Sequence, residues 1–353
     1  RAALRKYRIV QWCTGGMGRT VMREVIDRPE FELVGVYVTN EKKVGLDAGT
    51  IVRRPETGVI ATGNIEDILA LEADAVIHTS LLKAPYERQN ENVIRLLESG
   101  KNVLSPNGFV RPQMHDEAYC GPLREAAMKG KATLAGVGLN PGFAGERLAL
   151  VLSGLVNDIT EIRTQEVFDS SQHPSAEIVQ ETIGFGLDPK DSDLTKGPIA
   201  EMYNMFFPES MDYVAEKLGT RLVSVTPEHE VILAPHDIEI KVKTIQKGTV
   251  AAINWQWRGK FESGKEMVVS VLWTASQALH GDIEGGHVYW KIEVDGRPNV
   301  RSTMSLHNTE PNAPAGRAPM QAMAAIFLNA VPLVVDAPPG FFDLPSPIPS
   351  IVA

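Results

Sequence analysis

Cysteine is nearly absent from this chain, with only Cys13 and Cys120 among 353 residues. Lying in segments read as a strand end and a helix, they do not make a disulfide framework, which excludes a stapled extracellular scaffold and fits a reducing, cytoplasmic setting. Positive charge is also short: 35 Lys and Arg stand against 44 Asp and Glu, a formal net charge of -9. A general attraction to nucleic acid or anionic membrane surfaces is thereby excluded, since both need clustered positive charge. No unbroken apolar run reaches the ~18 to 20 residues of a membrane-spanning helix, and the opening Arg1-Ala2-Ala3-Leu4-Arg5-Lys6 lacks the apolar core of a signal peptide. His229, His236 and His280 have no paired Cys or His at ligand spacing, so no metal site is expected. Gly-x-Ser-x-Gly, P-loop and paired-carboxylate signatures are missing. There is no repeat, and the one biased segment is proline-rich, from Pro338 to Pro349, which regular helix or central strand cannot hold and which reads as an extended arm.

What is present describes a folded protein of two domains: 43% apolar and 22% charged residues over a length sufficient for two cores. The first half alternates short β-rich runs with helical stretches. Strands are expected at 7–13, 33–38, 74–78, 102–104 and 132–137, and helices at 19–28 and 86–99, the latter closed by Gly100. Such alternation is the pattern of βαβ units on a doubly wound parallel sheet, the Rossmann architecture, assigned to residues 1–143.

After Asn140-Pro141-Gly142-Phe143 the texture changes. One helical stretch to about Leu155 precedes strands at 160–168, 250–258, 266–273 and 287–294, whose alternation predicts an antiparallel sheet with one solvated face, in an α+β substrate and oligomerisation domain over 144–316. Residues 197–218 read as a helix carrying Met202, Tyr203, Met205, Phe206, Phe207 and Tyr213, a stripe that suits core, dimer contact or the wall of a substrate pocket. Trp255, Trp257, Trp273 and Trp290 fall on strands, as core, interface or apolar substrate wall. A last helix at about 320–331, within a C-terminal segment 317–353, is expected to pack back on the first domain.

Directly after the first strand stands Cys13-Thr14-Gly15-Gly16-Met17-Gly18-Arg19, and directly after that a helix. The context is that of a dinucleotide-binding turn. Gly15 allows close approach of backbone to a pyrophosphate, Gly18 allows tight helix–strand packing, and the helix N-terminus is partially positive. Cys13 replaces the first glycine of G-x-G-x-x-G, and a glycine turn here also has a purely structural reading. The second strand runs into Val38-Thr39-Asn40-Glu41-Lys42-Lys43, with Thr39 where NAD-specific proteins carry an acidic residue for the ribose 2′-hydroxyl. Thr39 and Asn40, with Lys42, Lys43 and the nearby Arg19, suit a 2′-phosphate, which favours NADP over NAD; the lysines also read as solvated loop charges.

Together with Gly136-Val-Gly-Leu-Asn-Pro-Gly-Phe143 and Asn329-Ala-Val-Pro-Leu-Val-Val-Asp-Ala-Pro-Pro-Gly340, the first turn resembles the dihydrodipicolinate reductase-like oxidoreductases, in the branch of 2,4-diaminopentanoate dehydrogenase and the native amine dehydrogenases. The resemblance implies that Thr14 to Arg19 cradle the pyrophosphate, that His78-Thr79-Ser80 pass beneath a ribose, and that the turn from Gly138 to Phe143 approaches the nicotinamide, with Asn140 as an amide contact. An Asn before Pro141 also starts a turn for structural reasons alone. Two departures matter. Amine dehydrogenases of this kind resemble one another in a glutamate after the fourth strand, where this chain has Ser105-Pro106-Asn107-Gly108, and an amide is no general base at neutral pH. The basic His-and-Lys segment of true dihydrodipicolinate reductases is also missing; Ser170-Ser171-Gln172-His173-Pro174 offers a lone histidine.

The expected activity is hydride transfer between NADP(H), or else NAD(H), and a carbonyl or imine carbon of a small, largely apolar substrate, with Asn107, Asn140 and His173 as candidate catalytic residues. Reductive amination and a nucleotide-binding sensor without turnover are the alternatives. An apolar outer sheet face and the proline-rich arm are the grounds for expecting a homodimer.

Overall fold

The computed structural model of the chain describes residues 5–280 and 288–345. It divides into two compact units, Arg1–Gly142 with Gly316–Leu344, and Phe143–Ala315 with Pro345–Ala353.

The first unit opens with β1 (Tyr7–Trp12), α1 (Gly16–Asp27), β2 (Phe31–Tyr37), the short helices α2 (Ala48–Val52) and α3 (Ile65–Leu69), β3 (Ala75–His78), α4 (Asn90–Glu98), β4 (Asn102–Ser105), α5 (Glu117–Gly130) and β5 (Thr133–Gly136). These strands are all parallel in the order β5-β4-β3-β1-β2. Helices cover them, so β3 and β5 are buried on both faces and read as continuous rather than alternating apolar runs. Helix α1 begins at Gly16, three residues before the expected start, which puts Gly16, Met17 and Gly18 in its first turn. Their backbone N–H groups are among the donors for which an α-helix has no internal acceptor.

In the second unit a π-helical turn, Ala144–Leu148, leads into α6 (Ala149–Ser153) and the long strand β6 (Asn157–Asp169). There follow α7 (Pro198–Lys217), β7 (Leu222–Pro227), β8 (Glu230–Leu233), β9 (Ile238–Ile240), β10 (Lys243–Ile245), β11 (Val250–Phe261), β12 (Glu266–Thr274), β13 (Val288–Arg297) and β14 (Val300–Ser305). The sheet runs β14-β13-β6-β12-β11-β7, with β8 also on β11. It is mainly antiparallel, as expected, with one parallel pairing, that of β6 with β12. They are far apart in the chain, and the long connection containing α7 gives room for the crossover that parallel pairing requires. His287, the expected start of β13, lies outside the described residues.

Alternation along β11 sorts its faces. Ala251, Ile253, Trp255, Trp257 and Phe261 are buried on one, and Asn254, Gln256, Arg258 and Lys260 occupy the other. Helix α7 packs on the apolar face: the indole N–H of Trp257 donates to Asn204 Oδ1 at 2.7 Å, and the rings of Tyr203 and Phe207 stand 5.8 and 5.3 Å from that of Trp257. The Met-rich aromatic stripe is therefore core of this unit. Across the opposite face Arg258 bridges Glu161 and Glu266, and Arg163 bridges Glu293 and Asp295. That end of the face is ionic, whereas Val167, Ala252, Leu272 and Tyr289, farther along the same face, form an apolar cluster.

The chain returns to the first unit with α8 (Arg317–Asp336) and β15 (Gly340–Phe341). With 20 residues and a mean hydropathy of 1.7, α8 is long and apolar enough to cross a membrane, which the search for unbroken apolar runs missed. It packs instead on α1 and on β3, β4 and β5, burying Ala324, Phe327, Leu328, Val331 and Val334. This packing carries the helix through Pro332 to Asp336, beyond the expected end. The proline-rich segment is likewise more than a free arm: β15 pairs with β5 at the sheet edge, where Gly340 N donates to Ala132 O at 3.0 Å and Phe342 N to Leu134 O at 2.8 Å. Both cysteines are free thiols.

Candidate functional site

Strand order reverses at β1, which lies between β2 and β3, and the carboxyl end of such a switch point is where open α/β sheets receive ligands. At that end Cys13 has φ +70, in the position of the missing fingerprint glycine. A non-glycine residue thus holds the left-handed conformation that glycine adopts at no steric cost. Gly18 is required by the protein itself: an added Cβ would lie 2.2 Å from Cys13 O and 2.9 Å from Gln11 Nε2. Gly15 is different. Its φ is -67 and an added Cβ would meet nothing within 4 Å, so neither strain nor a protein neighbour calls for glycine there. The space over Gly15 is open, as a pyrophosphate against the N-terminus of α1 would require.

A cavity of about 470 Å³ opens over this turn, walled by Cys13 to Gly18, by Thr39, Asn40 and Lys43 after β2, by Thr79 to Leu82 after β3, and by Pro106 and Asn107 after β4. Lys43 Nζ donates to Thr14 O at 2.9 Å and to Thr14 Oγ1 at 3.0 Å. Asn40 Oδ1 accepts from Lys42 N at 3.0 Å, capping the turn that carries the lysines. Arg19 is exposed on α1 and, like Lys42, stands outside this wall. Thr79 Oγ1 is spent on the first turn, donating toward Trp12 O and accepting from Gln11 Nε2 at 2.9 Å.

His78 lies one layer beneath the wall, 1% exposed, with Nδ1 3.1 Å from Ser105 Oγ and Nε2 3.2 Å from Ser80 Oγ. Burial pushes its pKa down to about 4, so the ring is neutral at ordinary pH. It supports the wall rather than forming it. Burial also raises the Cys13 thiol, against the weaker opposing pull of Ser80 and Lys43.

The candidate catalytic residues fare differently. Asn107 stands in the wall, but its amide gives one proton to Ser80 O at 2.8 Å and one to Gln89 Oε1 at 3.2 Å, while Gln89 Nε2 donates back to Asn107 O at 3.2 Å. Both N–H donors are engaged within the protein, and Asn107 ties the ends of β3 and β4 together. Gly138 and Asn140 form the turn after β5, outside the wall; an added Cβ on Gly138 would lie 2.7 Å from Pro141 O. His173 belongs to the second unit, in the turn after β6, and its Nδ1 accepts from Ser175 N at 3.2 Å.

Sequence reasoning missed Gln11, Gln89, Ser105, Leu81 and Leu82. Gln11 carried a usable signal, a lone amide in the apolar strand Ile9-Val10-Gln11-Trp12, and it is fully buried with Nε2 2.8 Å from Cys13 O. Gln89, Leu81 and Leu82, outside the strands and long helices, gave none, and Ser105 is the last residue of β4.

Comparison with known proteins agrees with this architecture. Residues 143–352 match the family model described as 2,4-diaminopentanoate dehydrogenase C-terminal domain, and residues 9–102 match the one described as dihydrodipicolinate reductase, N-terminus. An amine dehydrogenase of Streptomyces virginiae is 27% identical over 95% of this chain and 94% of its own. A 2,4-diaminopentanoate dehydrogenase of Acetoanaerobium sticklandii is 21% identical over 98% of this chain and 95% of its own. Among solved structures, the amine dehydrogenase from Mycobacterium smegmatis superposes with a TM-score of 0.72 at 18% identity, covering 96% of this chain and 95% of that one, which shows the shared fold.

Proposed function

Since the chain belongs to the 2,4-diaminopentanoate dehydrogenase C-terminal domain family and is an NAD(P)-dependent oxidoreductase, we propose that it transfers hydride between NADP(H) and a carbonyl or imine carbon of a small, largely apolar substrate. The observation that carries this reading is the open Gly15 turn at the switch point, a place kept free of side chain for no internal reason. The bound nicotinamide nucleotide supplies the hydride. The protein binds it on the free N–H groups of α1, walls it with the loops after β2, β3 and β4, and holds those loops together through Lys43, Thr79 and Asn107.

Preference for NADP is supported by the absence of a carboxylate from the β2 side of the wall, where Thr39, Asn40 and Lys43 stand instead. An ammonium has three donors. Two of those on Lys43 go to Thr14, and one is left for a phosphate oxygen.

Reductive amination is a second reading, favoured by the amine dehydrogenase relatives and opposed by Ser105-Pro106-Asn107-Gly108, which offers no carboxylate beside the wall. Calorimetric titration with NADPH and NADH at fixed salt, followed by NADPH oxidation with ketones and aldehydes with and without ammonia, tests both. Tighter NADPH binding with ammonia-independent turnover is expected. Strictly ammonia-dependent turnover establishes the second reading, tight binding without turnover over a broad panel indicates a sensor, and failure to bind either nucleotide overturns the oxidoreductase.

A further inference from the structure

Beneath the nucleotide wall runs a row of hydrogen bonds with one consistent direction. Asn107 N donates to Ser105 Oγ at 3.2 Å, Ser105 Oγ faces His78 Nδ1 at 3.1 Å, and His78 Nε2 faces Ser80 Oγ at 3.2 Å. Ser105 is fully buried at the end of β4, and His78 is buried at the end of β3. Ser80, the next element of the row, lines the cavity, with Cys13 Sγ 3.7 Å from its hydroxyl.

The direction follows from counting protons. A neutral imidazole has one N–H and one acceptor nitrogen. Ser105 Oγ already accepts from Asn107 N, and among the described residues its only other polar neighbour is His78. Its own proton therefore goes to Nδ1, since the opposite assignment would bury a hydroxyl proton without an acceptor. The ring then carries its proton on Nε2 and gives it to Ser80 Oγ. With its oxygen held by that donor, the Ser80 hydroxyl turns its proton away from His78, toward the cavity wall that it shares with Cys13 Sγ.

We propose that His78 and Ser105 are positioning residues that aim the Ser80 hydroxyl as a donor at an oxygen of the nicotinamide nucleotide. This rests on the oxidoreductase reading above. In a row where each member donates to the next, polarisation accumulates and the terminal donor is stronger than an isolated serine. His78 moves no proton in this role. It fixes an orientation, and the same imidazole with its proton on Nδ1 would present Ser80 as an acceptor pointing the wrong way.

The test is a double-mutant cycle on the full chain, read by NADPH and NADH titration. Ser80→Ala is expected to weaken nucleotide binding by about tenfold, the loss of one good hydrogen bond. Ser105→Ala, which touches no nucleotide, is expected to weaken it several-fold, and Ser80→Ala with Ser105→Ala together no more than Ser80→Ala alone, because both act through one donor. Additive losses, or a silent Ser105→Ala, overturn the proposal. In ¹⁵N-histidine spectra of the wild-type protein the His78 proton is expected on Nε2, and finding it on Nδ1 overturns the proposal even if the variants fail to fold. Wild-type protein that binds no nucleotide would sink the oxidoreductase reading; wild-type protein that binds while the variants bind equally well sinks only this inference.

Discussion

Lys43 and Thr14 are joined twice, with Nζ of the lysine 2.9 Å from the carbonyl oxygen and 3.0 Å from the hydroxyl of the threonine, so the loop after β2 is tied to the β1–α1 turn across the cavity. Lys43→Met keeps the stem and removes all three donors. Titration of this variant should show NADPH binding weakened by about tenfold or more, as for loss of a charged hydrogen bond, and NADH binding weakened less. Equal losses would mean that Lys43 steadies the turn and contacts no phosphate.

Two glycines of one turn should respond in opposite ways. Gly18→Ala drives a methyl to 2.2 Å from Cys13 O, and the displaced backbone should cost about 2 to 4 kcal/mol in denaturant unfolding. Gly15→Ala has open space around it and should unfold at the wild-type midpoint while losing nucleotide binding. A Gly15→Ala protein that binds normally would show that the space over the turn is not the nucleotide's.

Acid should weaken the fold through His78. Its pKa falls from an ordinary 6.5 to about 4 in the folded chain, so the unfolded chain takes up the proton first. The stability it contributes is present above about pH 6.5, is lost as pH falls toward 4, and amounts to about 3 kcal/mol. Denaturant midpoints followed from neutral pH to pH ~4.5 should fall less steeply in His78→Gln than in wild type. Parallel curves would place the acid sensitivity elsewhere.

In the second unit the buried indole of Trp257 depends on one partner, the Asn204 amide oxygen on α7. Asn204→Ala should destabilise that unit by about 1 to 3 kcal/mol, the cost of an orphaned buried donor. Asn204→Asp should restore most of it. Unfolding followed by tryptophan fluorescence measures both, and an unchanged midpoint in Asn204→Ala would show that Trp257 finds another acceptor.

Local chemistry made much of the cavity at the switch point legible in the sequence. Gly15, Gly18, Thr39, Asn40, Lys43 and Ser80 stand in the wall because a strand, a glycine turn and a helix follow one another within a few residues, and the end of the next strand must lie beside them. The parallel sheet was legible for the same reason: β1 to β5 alternate with helices over short separations, and each carries its own apolar run.

Contacts between distant segments were not legible. Whether β6 and β12 run parallel is settled by a long crossover that leaves no local mark, and whether α8 is a core helix or a membrane-length one is settled by what it packs against. The role of Asn107 turned on Ser80 and Gln89, 27 and 18 residues away, which take both of its amide protons. The sequence by itself determined where backbone N–H groups would be exposed to a ligand, because that depends on neighbouring residues and on steric limits at each Cα. Only the tertiary structure decided which side chains remain free to use that ligand, because a donor's availability depends on every acceptor the fold brings within reach.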